Sequence, residues 1–306
     1  MSPGSLALRA LVLGSGAGGG VPQWNCGCRV CRLAWSGDKR VNPRTQAGLA
    51  LSVDGANWVL LNASIDLRQQ ILATPALHPK GEGRGSPISA IVLTNAEVDS
   101  AAGLLALRER QPFVIFAIKA TLEAIGQNRM FDVVDRAVVP RRAVPLGQPF
   151  EPLPGVKLEL FAIPGKVPLW LEEGEVLTGE IGEGTVCVAA EAAGKRLVYA
   201  PACAHVTEDL DARIAGADVL FFDGTLFTDD EMIANGLGDK TGRRMGHMPV
   251  SGPHGALEAL QRHANVRRIL LHINNSNPIL IQGSPEEAKV KAAGFEIAFD
   301  GMEVVP

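Results

Sequence analysis

Short apolar runs rich in β-branched residues recur along the chain and predict β-strands. Most of the runs are bounded by Gly, Pro, Asp or Asn, which are residues typical of turns at strand ends. The predicted strands cover residues 6–13, 49–53, 58–61, 88–93, 113–116, 156–163, 186–190, 197–199, 219–222, 269–273 and 295–298.

Helical patterns alternate with these strands in both halves of the chain, at residues 99–110, 120–129, 207–215, 229–235, 252–263 and 285–293. Several begin near a capping or first-turn residue such as Thr207, Asp229 or Pro285. The Asp54-Gly55 pair between two early strands predicts a hairpin, so we expect mixed sheets. No Pro-, Gly- or Ser-rich linker interrupts the pattern, which indicates a single domain over residues 1–306.

The composition is that of a globular protein with a large core. The 306 residues are 46% hydrophobic, and the formal net charge is −4. There is no long Lys/Arg run, so we expect a small-molecule or protein partner rather than nucleic acid or a membrane. No apolar stretch reaches the length of a membrane span, and the N-terminus lacks the pattern of a signal peptide, so we expect a cytoplasmic protein.

Three of the five cysteines, Cys26, Cys28 and Cys31, lie within six residues of one another, shortly after a glycine-rich run. This spacing is too tight for a disulfide framework, but it suits thiolates that converge on one Zn²⁺. Tetrahedral zinc needs four ligands, so one must come from elsewhere in the chain. The alternative is three unrelated structural cysteines. The glycine run at residues 14–20 is not followed by the helix that a dinucleotide-binding fingerprint requires.

The loop after the predicted strand 88–93 carries Asn95, Glu97 and Asp99 at alternating positions. In an extended loop, these side chains would point the same way, toward a hard cation or a substrate amine. Asn95 or Asp99 could equally cap the helix that follows. The local pattern leaves both interpretations open.

Three later segments also place a carboxylate or an imidazole near a predicted strand end or before a predicted helix: Asp223, His247 and His272. Each is weak evidence alone, because a strand-end Asp often caps and a histidine in an apolar strand is often a hydrogen-bonded core residue. Together with the loop at 94–100, they indicate a functional site. His205 is a further candidate for a neighbouring position.

Long motifs resemble the pyrroloquinoline quinone (PQQ) biosynthesis protein B family: VLGSGAGGGVPQWNCGC at 12–28, LHINNSNPIL at 271–280 and AFDGM at 298–302. The resemblance extends along nearly the whole chain and includes DGT at 223–225 and GRRMGH at 242–247. It implies a distant branch of the metallo-β-lactamase superfamily. The expected fold is therefore an α+β, four-layer αββα sandwich with two mixed β-sheets.

The superfamily signature His-x-His-x-Asp-His is altered in this chain. The equivalent residues are Asn95-Ala96-Glu97-Val98-Asp99-Ser100, which retain only the aspartate. An amide, a carboxylate and a hydroxyl replace three imidazoles, which shifts the expected preference from zinc toward Fe²⁺, Mn²⁺ or Mg²⁺. Hydrolysis of the ordinary lactamase type is therefore not expected.

The resemblance also implies roles for later residues. Asp223 is similar in position to the bridging aspartate of the superfamily, His272 to its last histidine ligand, and His247 to a histidine near the reacting group. The implied central site binds one ion through Asp99, Asp223 and His272, with Glu97 or Asn95 in reach. The catalytic residues would be His247, Asp99 and Asp223.

By the same resemblance, the cysteine cluster is a structural zinc site. In a related subclass, the residue just after the last histidine completes this site, and the equivalent here is Asn275. In the family, this motif is also associated with dimerisation, so a homodimer is expected.

For function, the resemblance implies an iron-dependent oxygenase that uses O₂ to hydroxylate the tyrosine part of the cross-linked Glu–Tyr precursor of PQQ. His247 would position the substrate or move protons. One alternative is a carrier that binds PQQ or its precursor for transport. Another is metal-dependent hydrolysis of a peptide or ester.

Overall fold

Two mixed β-sheets face each other in the computed structural model, which describes residues 6–166, 170 and 180–306. Within these residues, the first sheet has seven strands. In spatial order they are Glu303–Val304 (β14), Arg9–Gly14 (β1), Gly48–Ser52 (β2), Trp58–Leu61 (β3), Ile88–Val92 (β4), Val114–Ala117 (β5) and Arg141–Ala143 (β6).

The second sheet also has seven strands in the described part of the chain. They are, in spatial order, Phe295–Ile297 (β13), Arg267–Leu271 (β12), Val219–Asp223 (β11), Lys195–Ala200 (β10), Glu180–Ala192 (β9), Val156–Gly165 (β8) and Pro149–Leu153 (β7). In each sheet, one half is antiparallel and the other parallel, which confirms the prediction of mixed sheets.

Helices cover the outer faces of the two sheets. They are Arg29–Trp35 (α1), Leu67–Ala73 (α2), Val98–Ala101 (α3), Lys119–Gln127 (α4), Glu208–Ala215 (α5), Glu231–Ala234 (α6), Ala256–Ala259 (α7) and Pro285–Ala292 (α8). One apolar cluster fills the space between the sheets, and two more lie between each sheet and its helices. This arrangement is the predicted αββα sandwich. None of the helices in the described ranges combines the length and the apolar character needed to span a membrane.

The Asp54-Gly55 turn confirms the predicted hairpin between β2 and β3. Asp54 Oδ1 accepts hydrogen bonds from the backbone N–H groups of Ala56 (2.7 Å) and Asn57 (2.8 Å). Gly55 has φ +65°, a conformation that glycine adopts without steric cost. The hydrogen-bonded turn fixes the register of the two buried strands.

The helix predicted at residues 99–110 is wrong in length. The α-helix ends at Ala101 and continues as a 3₁₀-helix, Ala102–Leu107. The cause is tertiary, because the Gly103 N–H donates to Ala63 O (2.9 Å) instead of to the preceding turn. The helices predicted at 229–235 and 252–263 are also shorter than expected, and α1 and α2 were not predicted.

Loops from both sheets meet at one edge of the sandwich. The strands β1, β3 and β4 run in the same direction, so their carboxyl ends share this edge, as do those of β10, β11 and β12 in the other sheet. The edge is closed by backbone hydrogen bonds from Ile273 N to Ser15 O (3.0 Å) and from Ala17 N to Ile273 O (2.9 Å). Ligand sites in α/β folds are typically built at such an edge.

Candidate metal centre

Asp223, His247 and His272 converge at this edge. Asp223 is the last residue of β11 and His272 follows β12, while His247 comes from the loop after α6. Potential ligand atoms of the three side chains lie within 4.8 Å of one another. Asp223 is fully buried, and its Oδ2 lies 2.8 Å from His247 Nδ1. Two imidazoles and a carboxylate at this spacing are a donor set suited to a transition-metal ion.

The hydroxyl group of Thr225 connects all three side chains. Its Oγ1 lies 2.6 Å from Asp223 Oδ1, 2.9 Å from His272 Nδ1 and 3.1 Å from His247 Nδ1. A carboxylate only accepts hydrogen bonds, so the hydroxyl proton is available to Asp223 and the oxygen accepts from a ring N–H. With Nδ1 of His272 occupied in this way, its Nε2 faces away from Thr225 toward Asp99.

Asp99 completes the charged cluster from the other sheet. It lies in the first turn of α3, and its Oδ2 is 3.2 Å from His272 Nε2. Burial lowers the pKa of His272, but the hydrogen bond and negative charge of Asp99, with the charges of Asp223 and Glu97, raise it above the ordinary value. Burial likewise raises the pKa of Asp99, whereas contact with His272 and the nearby charge of His247 bring it below the ordinary value. The carboxylates around His272 thus favour a positive charge at this imidazole.

The polar side-chain atoms of Asn95 and Glu97 contact groups outside the Asp223, His247 and His272 cluster. Asn95 Oδ1 accepts from the backbone N–H of Glu97 (2.9 Å), and Glu97 Oε1 lies 3.3 Å from Lys166 Nζ. Neither Asn95 nor Asp99 caps α3, because Glu97 occupies the N-cap position without a side-chain hydrogen bond. Both Asn95 and Glu97 line the cavity beside the cluster, but the structure does not bring them into the group formed with Asp223.

A cavity of about 790 Å³ opens beside the cluster. His247, His272 and Asp99 line it, together with backbone of the glycine-rich loop after β1. Gly18 lies so close that a Cβ added there would be 3.5 Å from Asp99 Oδ2. The volume is in the range of sites that enclose a small organic molecule.

The cysteine cluster is separate from this cavity. The Sγ atoms of Cys26, Cys28 and Cys31 lie within 4.8 Å of one another. Asn275 reaches the cluster twice: its backbone O is 3.3 Å from Cys28 Sγ, and its Nδ2 is 3.3 Å from Cys31 Sγ. The structure thus brings all four predicted residues together. The backbone O of Asn275 is the atom that could serve as a ligand, because its side-chain NH₂ group donates hydrogen bonds to the sulfur atoms.

The protonation of these thiols is uneven. Burial raises the pKa of Cys28 to about 12. Burial also raises the pKa of Cys26, but hydrogen bonds from Cys28, Cys31 and Asn275 bring it below the ordinary value. Three sulfur atoms that converge from two buried cysteines and one half-buried cysteine fit a bound Zn²⁺, which takes the place of the protons on thiolate ligands.

Comparison with known proteins places the chain in a family. A family described as "Beta-lactamase superfamily domain" matches residues 57–273. The chain is 54% identical over 295 residues to "Coenzyme PQQ synthesis protein B" of Methylobacterium nodulans, covering 96% of this chain and 99% of the relative. It belongs to the coenzyme PQQ synthesis protein B family.

Solved structures agree with this assignment to the PQQ synthesis protein B family. The crystal structure of Zn²⁺-bound PqqB from Methylobacterium extorquens has a TM-score of 0.94 and 53% identity, covering 97% of this chain and 99% of that one. A diphosphatase from the PhnP family has a TM-score of 0.67 at 20% identity, over 98% of both chains. At this identity, the second likeness shows the fold alone.

Sequence reasoning missed Thr225, which no charge or metal-ligand pattern singles out. The available signal was its position two residues after Asp223 at a strand end, where a hydroxyl can bond to the same carboxylate. His205, considered as a neighbour of the site, does not line the cavity. Its carbonyl instead accepts a hydrogen bond from the buried thiol of Cys203 at 3.2 Å.

Proposed function

We propose that this chain acts in PQQ biosynthesis as an iron-dependent oxygenase that hydroxylates the tyrosine part of the cross-linked Glu–Tyr precursor with O₂. The observation that carries the proposal is the convergence of Asp223, His247 and His272 within 4.8 Å. Two histidines and one carboxylate are the ligand set of many non-haem Fe²⁺ oxygenases, which leave further positions for O₂ and substrate. The relatives' name supports the pathway, and the lost superfamily histidines count against ordinary hydrolysis.

In this proposal, the central Fe²⁺ is held by Asp223, His247 and His272, with Asp99 beside His272. Mn²⁺ or Mg²⁺ can occupy the same donors. Bound iron supplies the one-electron and O₂ chemistry that side chains lack. The resemblance names Asp99 as the third donor, with Glu97 or Asn95 in reach. In this proposal His247 takes that place, because its ring lies with Asp223 and His272, whereas Asp99 contacts His272. The side chains of Glu97 and Asn95 are engaged with other groups.

The remaining residues of the site orient these donors. Thr225 fixes the ring of His272 through Nδ1, which leaves Nε2, 3.2 Å from Asp99 Oδ2, as the nitrogen that would face the ion. Hydrogen bonds of this kind set the tautomer and direction of a ligating imidazole. On the cavity wall, the Lys166–Glu97 ion pair and the Trp170 Nε1–H bond to Ala96 O (3.0 Å) hold the loop that carries Asp99.

We assign the second metal, a structural Zn²⁺, to Cys26, Cys28 and Cys31 with Asn275 as the fourth ligand. The neighbouring Trp24 and Trp35 are 83% and 59% exposed, which is unusual for large aromatic side chains. These exposed rings support a homodimer, the assembly that the family resemblance implies. Location in the cytoplasm stays a prediction from the sequence. Light scattering after size-exclusion chromatography measures the assembly directly.

Metal counting and O₂ uptake test the proposal. The protein is purified anaerobically from iron-supplemented cells, its metals are counted per chain, and O₂ consumption is measured with the cross-linked precursor. We expect one iron and one zinc, and His272→Ala should lose the iron and the O₂ uptake but keep the zinc. The matched control is His263→Gln, because His263 also pairs with an aspartate, Asp211 (2.6 Å), but lies outside the cavity.

The same experiment separates the alternatives. A carrier would bind PQQ stoichiometrically with no metal requirement, and a hydrolase would form product without O₂. If His272→Ala retains full O₂ uptake, or if product forms equally under argon, the oxygenase proposal is wrong.

A further inference from the structure

Cationic side chains line one side of the cavity: Lys166, Lys240 and Arg244. Two acidic residues, Glu97 and Asp99, also line the cavity. Glu97 forms an ion pair with Lys166, and Asp99 forms one with His272. Among the residues that the structure describes, Lys240 and Arg244 make no ion pair. Both side chains are exposed at the cavity mouth, in a chain whose net charge is negative.

The backbone that carries Arg244 is held firmly. Arg243–Met245 is a 3₁₀-helix with Gly242 at its N-cap, and the N–H of Gly242 donates to Asp229 O (2.8 Å). The His247 N–H donates back to Gly242 O (2.9 Å), which closes the turn directly before the metal cluster. The backbone of Arg244 is therefore held three residues from His247, in the same hydrogen-bonded loop.

Neighbouring Arg243 points elsewhere. Its guanidinium group donates to the carbonyl O atoms of His254 (3.2 Å) and Pro253 (3.5 Å), and Arg243 does not line the cavity. Of two adjacent arginines in one turn, one thus anchors the loop and the other is presented to the cavity. This contrast argues that the position of Arg244 follows from the turn and is not that of an arbitrary surface charge.

We propose that Lys240 and Arg244 form a carboxylate-binding subsite at the cavity mouth, which orients an anionic substrate toward Asp223, His247 and His272. The inference rests on the proposed function, and it names the substrate class as a small molecule that carries free carboxylates. Arginine binds a carboxylate through two parallel hydrogen bonds, and lysine adds a second, compact charge. Two unpaired cations at a concave mouth also raise the local concentration of anions.

Binding of PQQ itself tests the subsite, because this molecule carries several carboxylates and its fully methyl-esterified form carries none. Isothermal titration calorimetry is run anaerobically on the purified, metal-containing protein. We expect Arg244→Gln and Lys240→Gln each to raise the Kd for PQQ about fivefold, and the double variant about 25-fold. Arg244→Lys should restore part of the affinity, and the control Arg243→Gln should leave the Kd unchanged if the loop stays folded.

Binding of the ester should not respond to these substitutions, and the Kd for PQQ should rise with salt in the wild type more steeply than in the double variant. The inference is overturned if PQQ does not bind the wild type, if all variants bind it equally, or if the ester loses affinity in parallel. Tighter binding of inorganic phosphate than of PQQ would also overturn the assignment to carboxylates. A protein that shows the expected binding pattern but takes up no O₂ would refute the oxygenase proposal and leave this subsite standing.

Discussion

We predict that a buried carboxyl group behind the cavity wall, Glu231, makes the stability of the fold depend on pH. Glu231 begins α6, is 4% exposed, and accepts hydrogen bonds from Phe227 N (2.6 Å) and Ser276 Oγ (2.5 Å). Burial raises the pKa of Glu231 to about 7, and the hydrogen bonds offset only part of this effect. The adjacent Met232 lines the cavity, so Glu231 supports the wall from behind.

The direction of the pH effect follows from the raised pKa. The unfolded chain releases this proton near the ordinary value of 4.5, whereas the folded chain keeps it to about 7. Between these pH values, the folded state binds more protons, so the free energy of unfolding falls as the pH rises. At about 1.4 kcal/mol per pKa unit, the loss from this group amounts to about 3 kcal/mol between pH 4 and pH 8.

Glu231→Gln removes this dependence. The Gln carbonyl O can still accept from Phe227 N–H, and its NH₂ group can donate to Ser276 Oγ, so the hydrogen bonds survive without a titrating proton. We expect the free energy of unfolding of the variant, relative to the wild type, to rise by about 3 kcal/mol from pH 4 to pH 8. Urea unfolding followed by tryptophan fluorescence at several pH values measures this difference.

Glu287→Gln is the matched control with the opposite sign. Burial raises the pKa of Glu287, but hydrogen bonds from Lys291 and the Gly283 N–H bring it below the ordinary value. Its contribution to stability is therefore present above the ordinary pKa and is lost as the pH falls, so this variant should lose stability relative to the wild type as the pH rises. If the Glu231→Gln and wild-type curves run parallel across the range, the reasoning about Glu231 is wrong.

Two further predictions concern the metal sites. Cys28→Ser should lose about one zinc per chain and lower the thermal unfolding midpoint by several degrees, because zinc binding contributes directly to folding. The control is Cys187→Ala, at a buried cysteine outside the cluster. Metal analysis of both variants should show that only Cys187→Ala keeps the zinc. Thr225→Val should cost about 1–3 kcal/mol in urea unfolding and shift the pH profile of O₂ uptake, because Asp223 and His272 lose their shared hydroxyl partner. Thr225→Ser should restore that profile, and an unchanged profile in Thr225→Val would refute an orienting role.

The strands were predictable because buried strands consist of consecutive apolar residues, which can be recognised in the sequence. The predicted strand 58–61 is found as Trp58–Leu61, and 219–222 differs from Val219–Asp223 by one residue. Helix lengths were less predictable, since they depend on partners distant in sequence. Gly103 packs so closely on the segment before α2 that a Cβ there would lie 2.0 Å from Ser64 O, and no local propensity encodes that contact.

Part of the candidate site was likewise predictable from local sequence, and part depended on contacts between distant residues. The sequence could nominate Asp223 and His272, because each stands at the end of a buried strand, where ligands commonly bind. The sequence could not show which residues of the loop at 94–100 reach the site. Alternation suggested that Asn95, Glu97 and Asp99 point together, but the bond from Glu97 N to Asn95 Oδ1 turns the backbone, and only Asp99 reaches His272.

The backbone of His272 explains why this edge holds its geometry. His272 has φ +57°, a left-handed conformation that costs a non-glycine residue about 1–2 kcal/mol. The hydrogen bonds of Ile273 to Ser15 and Ala17 hold the next residue against the glycine-rich loop, and Thr225 Oγ1 lies 3.0 Å from His272 O. These contacts come from both sheets and together determine the strained turn, which directs the imidazole back toward Asp223 instead of along the strand. The strain at His272 is therefore a consequence of joining the sheets at this edge, and the same junction brings Asp99 of one sheet to the histidines of the other.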